Sequence, residues 1–229
     1  MSAQKSTVGP NPSESVENFL KAVYTLQHVS ERVSTNALAE RLNVTAPSVT
    51  DMAQRLEDAG LLNYQKYYGM RLTDEGERVA LSVIRRHRLI ELFLVRELGY
   101  DLHEVHDEAE RLEHAVSDRF VEAIDRKLGT PDIDPHGDPI PTAEGTVATV
   151  SALRLTQLTP GTTGIVVRLD GGSAEILRHL TAREIRLGDE IQLISCSEVD
   201  DTLEVVIGGR SEIIARAIAS SIYVDSDVS

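Results

Sequence analysis

The chain has 229 residues, 41% apolar and 26% charged, which is enough for one large or roughly two to three small domains with real cores. Its net charge of −14 argues against a nucleic-acid partner for the chain taken as a whole, and its one cysteine excludes both an intramolecular disulfide framework and a thiolate metal cluster. The polar start, MSAQKSTVGPNPSES, has no apolar targeting core, and no run approaches the roughly 18 apolar residues of a membrane span, so a cytoplasmic protein is expected.

The acidity is uneven. Residues 1–74 hold seven Lys and Arg against eight Asp and Glu; residues 75–136 hold nine against fifteen, and residues 137–229 seven against fourteen. The first third is close to neutral and can hold a DNA-reading module. The rest carries a carboxylate excess that calls for a positive partner.

In chain order, 14–29 places apolar side chains at 16, 19, 20, 23 and 26, a helical period, with Ser13 or Ser15 as the cap. Residues 34–44 form a short amphipathic helix. Residues 45–62 form another, with Pro47 in its first turn and Gly60 at its stop. Residues 63–73 alternate apolar and polar around Gly69, as a hairpin does. Helix, short helix, tight turn, helix and hairpin is the order of a winged helix-turn-helix. The second helix of the pair would enter the major groove with Thr45, Pro47, Ser48, Thr50, Asp51, Gln54 and Arg55. Hydroxyls and the amide suit base edges or phosphates, and Asp51 can accept from a cytosine amino group. The wing adds Lys66 and Arg71 among Tyr64, Tyr67 and Tyr68. The plain alternative is a small helical scaffold for protein contacts.

Residues 74–99 read as a long helix capped by Asp74 and ended by Gly99, and 101–129 as a second with an apolar stripe at 105, 109, 112, 116, 120 and 124. Two long helices after a DNA-reading module suit a dimerisation core, since paired half-sites call for a two-fold axis. The proline-rich stretch 130–146 reads as a linker or an ordered irregular connection. After it come short β-type runs, TGIVVRLD, DEIQLIS and TLEVVIGG, with a helix at 173–185. A small β-barrel is expected, with Cys196 as a small core residue of its strand. The fold class is mainly α with a C-terminal small β-barrel. The expected domains are 1–74, 75–141 and 142–229, with a linker at about 130–150.

The string VHDEAERLEHAVSD, residues 105–118, carries the chemistry. On a helical wheel, with His106 at zero, Glu113 falls at about −20°, Glu110 at about +40° and His114 at about +80°. The four share one face bordering the apolar stripe. In the preceding helix, His87 and Glu91 stand four apart, also on one face. Two helices each bring His and Glu to a shared surface. A solvated face usually mixes in Lys and Arg, and Arg111, the one base nearby, points elsewhere. Packed carboxylates repel unless something positive sits among them. Oxygen and imidazole ligands without thiolate fit Mn(II), Fe(II), Co(II) or Zn(II), with Mn(II) favoured where hard oxygens dominate. The plain alternative is an inter-helix hydrogen-bond network. A metalloenzyme would need a nucleophile or oxyanion motif and a substrate pocket. No such motif stands in the sequence, so neither an enzyme nor a small-molecule substrate is expected.

The pieces FLKAVYTL, APSVTDMAQRLEDAGLL, LTDEGERVAL, RRHRLIELFL, VHDEAERLEHAVSD and DPHGDPIP together resemble the diphtheria-toxin-repressor family of metal-dependent transcriptional regulators. The resemblance runs from about residue 14 to 141, and the C-terminal barrel is similar to the SH3-like third domain of the longer members. It implies a winged helix-turn-helix domain, a helical dimerisation domain and an SH3-like domain. It implies a homodimer that binds palindromic double-stranded operator DNA when metal-loaded and controls metal-uptake genes. Carried over by position, the primary metal site would use Glu110, Glu113 and His114 with Asn18 of the first helix. The ancillary site would use His87, Glu91 and His106, with Asp170 or Glu175 from the third domain. Iron-sensing members carry cysteine where this chain has Glu110, so the resemblance points to the manganese branch, with an iron-dependent repressor as the alternative. Manganese-sensing members have aspartate where this chain has Asn18, and small manganese regulators have an acid where it has Lys21. A binuclear site of that kind is therefore not implied.

Overall fold

The computed structural model describes residues 13–225, so the polar start before Ser13 lies outside the described residues. They form two compact units. One holds residues up to 85 with 143–145, and the other holds 86–142 and 146 onwards.

The first unit opens with α1, Glu14–Gln27. Ser13 stands at its N-cap, but its hydroxyl meets Ser15 instead of the backbone. Helix α2, Thr35–Leu42, is capped by Ser34, which accepts from the Ala37 amide at 3.1 Å. Helix α3, Ala46–Asp58, is capped by Thr45, with proline in its first turn. Strands β1, Leu62–Gln65, and β2, Gly69–Leu72, form the antiparallel wing, and Val33 bridges to Met70. One core gathers Phe19, Leu20, Val23, Leu38, Val49, Leu56 and Met70. The winged helix-turn-helix is thus closed around the apolar positions that the helical periods select.

Helix α4, Asp74–Leu98, gives its first half to this unit and its second half to the other. Its N-cap differs from the expected Asp74. Thr73 accepts from the Gly76 amide at 3.1 Å and donates to the Gly60 carbonyl at 2.8 Å. A hydroxyl that donates as well as accepts joins the helix start to the preceding turn, which a carboxylate cannot do.

In the second unit, the expected helix over 101–129 is two helices. These are α5, Val105–Leu112, and α6, Asp118–Leu128. The apolar stripe continues across the break, so periodicity alone hides it. Ser117 accepts from the Phe120 amide, starting a new helix where the old one could have continued. Arg86 seals the broken end by donating to the Glu113 carbonyl at 2.9 Å.

Residues 132–140 fold back on themselves. The Ile140 amide donates to the Asp132 carbonyl, and Ile133 bridges Pro139. The Asp134 carboxylate accepts from the His136 and Asp138 amides at 2.8 and 2.9 Å. The rest of the unit is a six-stranded antiparallel sheet in the order β3, β8, β4, β5, β6, β7. Its strands are β3 Leu153–Arg154, β4 Thr163–Leu169, β5 Glu190–Ser197, β6 Thr202–Ile207, β7 Arg210–Ala215 and β8 Ile222–Asp225. Helices α7, Ala174–Ala182, and α8, Arg216–Ala219, join the core of this SH3-like domain. Cys196 is exposed, contrary to the core position expected. Register shifts between Leu193 and Ser195, and Ile194, Ser195 and Cys196 beyond it are solvent-facing.

Gly76 is fixed by sterics. A Cβ there would lie 2.0 Å from the Leu61 carbonyl oxygen, a backbone atom that cannot swing away. Gly76→Ala is expected to destabilise the protein by about 1–3 kcal/mol in urea unfolding, by the overpacking mechanism. An unchanged midpoint would contradict this close approach.

Candidate metal centre

Two turns of α4 and the α5 segment supply the site. His87 and Glu91 lie one turn apart on α4, both buried, at 5% and 2% exposure. His106 and Glu110 lie on α5. Glu113 stands at its C-cap with φ −56 and ψ −30, still helical, so the break falls after the ligand face instead of within it. Glu113 is 0% exposed, and the His114 side chain is nearly covered.

The His87 ring is central. Its Nδ1 lies 2.5 Å from Glu113 Oε2. Its Nε2 lies 3.0 Å from Glu91 Oε1 and 3.1 Å from His106 Nδ1. His106 Nδ1 also reaches Glu91 Oε1 at 3.2 Å. On the other side, His114 Nε2 lies 3.2 Å from Glu113 Oε1. Two sets converge with ligand atoms within 4.8 Å of one another: His87, Glu91 and His106, and His87, Glu110 and Glu113. The sequence assigns His87 to one site; its two nitrogens face both.

Burial pushes the Glu91 carboxyl up, but hydrogen bonds from His106 and His87, with the charge of His87, outweigh it and hold the acid well below the usual carboxylate range. Glu91 therefore presents an anion at neutral pH. Buried carboxylates facing imidazoles are the donor set of a borderline-to-hard divalent cation.

The other sequence candidates are placed as follows. Asn18 is half-buried on α1 in the first unit. Asp170 and Glu175 are exposed, and neither falls in the converging sets. Asp170 turns its carboxylate to the Gly172 amide at 3.0 Å. On α3, the Thr45 hydroxyl serves the cap and Thr50 donates to the Ala46 carbonyl. Pro47, Ser48, Asp51, Gln54 and Arg55 are exposed, as is Lys66 on the wing, whose amine lies 5.2 Å from the Tyr67 ring centre.

Sequence reasoning missed His136. It is 3% exposed, and its Nε2 lies 3.8 Å from Glu91 Oε1. Burial lowers its pKa. The signal was available in DPHGDPIP, where a histidine sits in a tight, proline-flanked turn.

A winged helix, a His/Glu centre on the helices that follow and a six-stranded SH3-like sheet define a metal-binding DNA-reading protein. Family models match along nearly the whole chain: "iron dependent repressor, N-terminal DNA binding domain" over 12–70, "iron dependent repressor, metal binding and dimerisation domain" over 73–142, and "FeoA domain" over 153–226. An uncharacterized HTH-type transcriptional regulator of Methanocaldococcus jannaschii is 37% identical over 113 residues, 49% of this chain and 90% of that one. The diphtheria toxin repressor of Corynebacterium glutamicum is 34% identical over 128 residues, and the match spans 56% of each chain. A solved manganese-dependent transcriptional repressor, in complex with manganese, superposes with TM-score 0.85 at 41% identity, covering 92% of this chain and 99% of that one. The chain belongs to the iron-dependent repressor family of metal-dependent transcriptional repressors, which are not enzymes.

His87→Leu would leave Glu91 and Glu113 buried without their shared partner. It is expected to destabilise the metal-free protein by about 3–5 kcal/mol in chemical denaturation, the cost of breaking a buried ion pair from one side. A loss under about 1 kcal/mol would mean the ring does not serve both carboxylates.

Proposed function

We propose that the protein is a Mn(II)-dependent repressor that binds palindromic operator DNA as a metal-loaded homodimer and controls metal-uptake genes. One observation carries the choice of metal: a carboxylate, Glu110, stands in the converging set with Glu113 and His87. Two hard oxygens with imidazole suit Mn(II), whereas a thiolate at that position would favour softer ions. The one cysteine lies far along the sequence, exposed on β5. The similar solved repressor holds manganese.

Glu110, Glu113 and His114 are proposed for the primary ion, and His87, Glu91 and His106 for the ancillary one. Asn18, Asp170 and Glu175 are assigned by resemblance alone. The ions supply positive charge and a fixed set of bonds; the residues supply orientation. Glu113 holds the His87 ring at Nδ1 while Nε2 faces Glu91 and His106, the usual way a carboxylate orients an imidazole ligand. Ser48, Asp51, Gln54, Arg55 and Lys66 are proposed to face the DNA, with Thr45, Pro47 and Thr50 shaping the start of the reading helix. Exposed Leu98 and Phe120, on α4 and α6, supply apolar surface for the homodimer.

Metal acts as an allosteric ligand when it binds the DNA-competent state better than the other, and DNA must then raise metal affinity by the same factor. Fluorescence anisotropy on operator DNA, titrated anaerobically with Mn(II), Fe(II), Co(II) and Zn(II), is expected to show binding at the lowest free concentration relative to cellular supply with Mn(II). Equal affinity in EDTA and in Mn(II) would sink the reading, and activation by Fe(II) alone would favour the iron-sensing alternative. Glu110→Cys is expected to shift preference towards Fe(II) or Co(II) by tenfold or more, roughly 1.4 kcal/mol. An unchanged metal order in that variant would remove Glu110 from the selectivity argument.

A further inference from the structure

The wing has a fixed root and a bare tip. At the root, Val33 exchanges backbone hydrogen bonds with Met70 of β2 at 2.8 and 2.9 Å, and the Leu72 amide donates to the Gln27 side chain at 2.8 Å. Arg32 donates to the Gly69 carbonyl at 3.4 Å. Gly69, at φ 95, comes so close that a Cβ there would lie 2.6 Å from the Val33 carbonyl oxygen. The hairpin is therefore anchored on the chain around Val33, and its loop, 66–68, projects from that anchor.

The tip is costly. Tyr67 is 91% exposed and Tyr68 69%, two large rings left in water at adjacent positions. Tyr67 takes φ 73, the left-handed region that favours Gly and Asn. Apart from the Lys66 amine, 5.2 Å from the Tyr67 ring centre, neither ring and neither hydroxyl has a partner among the described residues. Glycine would serve this turn better, so the turn does not explain the tyrosine. Strain of this sort persists where a site uses what the residue presents.

The charge around the tip indicates the partner. The chain carries −14 overall, yet residues 62–72 hold Lys66 and Arg71 and no acid. Arg71 meets Glu31 only at 3.9 Å, with half of its own side chain and most of the Glu31 side chain in water. The same unit carries α3, with Gln54 and Arg55 exposed on it. Two bases beside two bare aromatic rings suit a polyanion. The bases attract phosphates, and a tyrosine hydroxyl donates to a phosphate oxygen.

We propose that Tyr67 is a sequence-independent contact to the sugar-phosphate backbone of duplex DNA, held out by a strained turn on an anchored wing. The inference rests on the DNA-binding reading and deepens it: α3 reads bases, and the wing tip fixes register without reading them. The strain serves binding and not folding, so its removal improves the fold and harms the binding.

The test uses the full chain in Mn(II), with an operator duplex selected from a random pool and a scrambled duplex, read by fluorescence anisotropy across a salt series. Thermal unfolding is followed in parallel. Tyr67→Gly is expected to raise the unfolding midpoint by a few degrees, because glycine takes this backbone conformation without strain. It is expected to weaken binding to both duplexes alike, by about tenfold or more, for one neutral hydrogen bond lost from each head of the dimer. The salt slope is expected to stay at the wild-type value, since tyrosine carries no charge, whereas Lys66→Ala lowers it by about one per head. Unchanged affinity of Tyr67→Gly for both duplexes overturns this inference and leaves the repressor reading intact. A loss confined to the operator overturns it too, because the tip then reads bases. A lower midpoint overturns it as well, because the ring then serves the fold. A wild-type chain that binds neither duplex overturns both readings.

Discussion

The second unit is organised around one imidazole held between two buried carboxylates. A neutral imidazole has one N–H and one lone pair. His87 meets Glu113 through Nδ1 and Glu91 through Nε2. Glu113 has no solvent contact, and His87 Nε2 also lies 3.1 Å from His106 Nδ1. Glu91 and Glu113 are both sealed from water, and imidazoles are the groups that meet them. This is the local inconsistency expected where a site is shaped for a ligand and not for the bare fold. It also means that the centre cannot be emptied of carboxylates one at a time without cost, because each partner's desolvation depends on the others.

The helix break after Glu113 follows from the same constraint. A continuous helix would leave Glu113 in mid-segment with its carbonyl committed to the next turn. Ending α5 there frees the carbonyl for Arg86, which also lies 3.5 Å from Asp118 at the start of α6. One guanidinium therefore caps the end of one helix and meets the beginning of the next, at the point where fully buried Glu113 stands. The turn at 134–138 does the corresponding work on the other side. Burial pushes the Asp134 carboxyl up to about 7, with the charges of Asp138 and Glu91 adding to it, while Arg88 opposes. Its Oδ1 accepts from both the His136 and the Asp138 amides, which fixes the shape of the turn.

Much of this was legible in the residues. The winged helix-turn-helix follows from apolar spacing and from Pro47 and Gly60, local signals that tertiary packing had no reason to override. The His/Glu face follows from i, i+3 and i, i+4 arithmetic, which survives because Glu113 keeps helical backbone angles even at the cap. What was not legible has tertiary causes. The break at Ser117 is hidden because the apolar stripe continues through it. The cap at Thr73 is hidden because its second role, donation to Gly60, spans a turn. Cys196 reads as core in an apolar run and is exposed because β5 shifts register before it. The approach of His136 to Glu91 is not legible because the turn that carries it is held by α4 and β4, distant in sequence. The choice between Asp170 and Glu175 cannot be made from sequence, and both carboxylates are exposed in the structure.

On the proposed assignment, the placement of Glu110 would separate selectivity from stability. Glu113 and Glu91 are sealed and meet His87, so changing either would leave a buried imidazole without its acid. Glu110 is exposed and lies in the converging set, so its side chain can change with little effect on packing. A carboxylate at that rim adds a hard oxygen, and a thiolate would add a soft ligand of similar reach. On the proposed assignment, the scaffold would be re-tuned between metals at this solvent-facing position, with Glu91 and Glu113 buried behind it. A selectivity-determining residue belongs at such a rim: rigid neighbours fix where it points, and water absorbs the cost of replacing it.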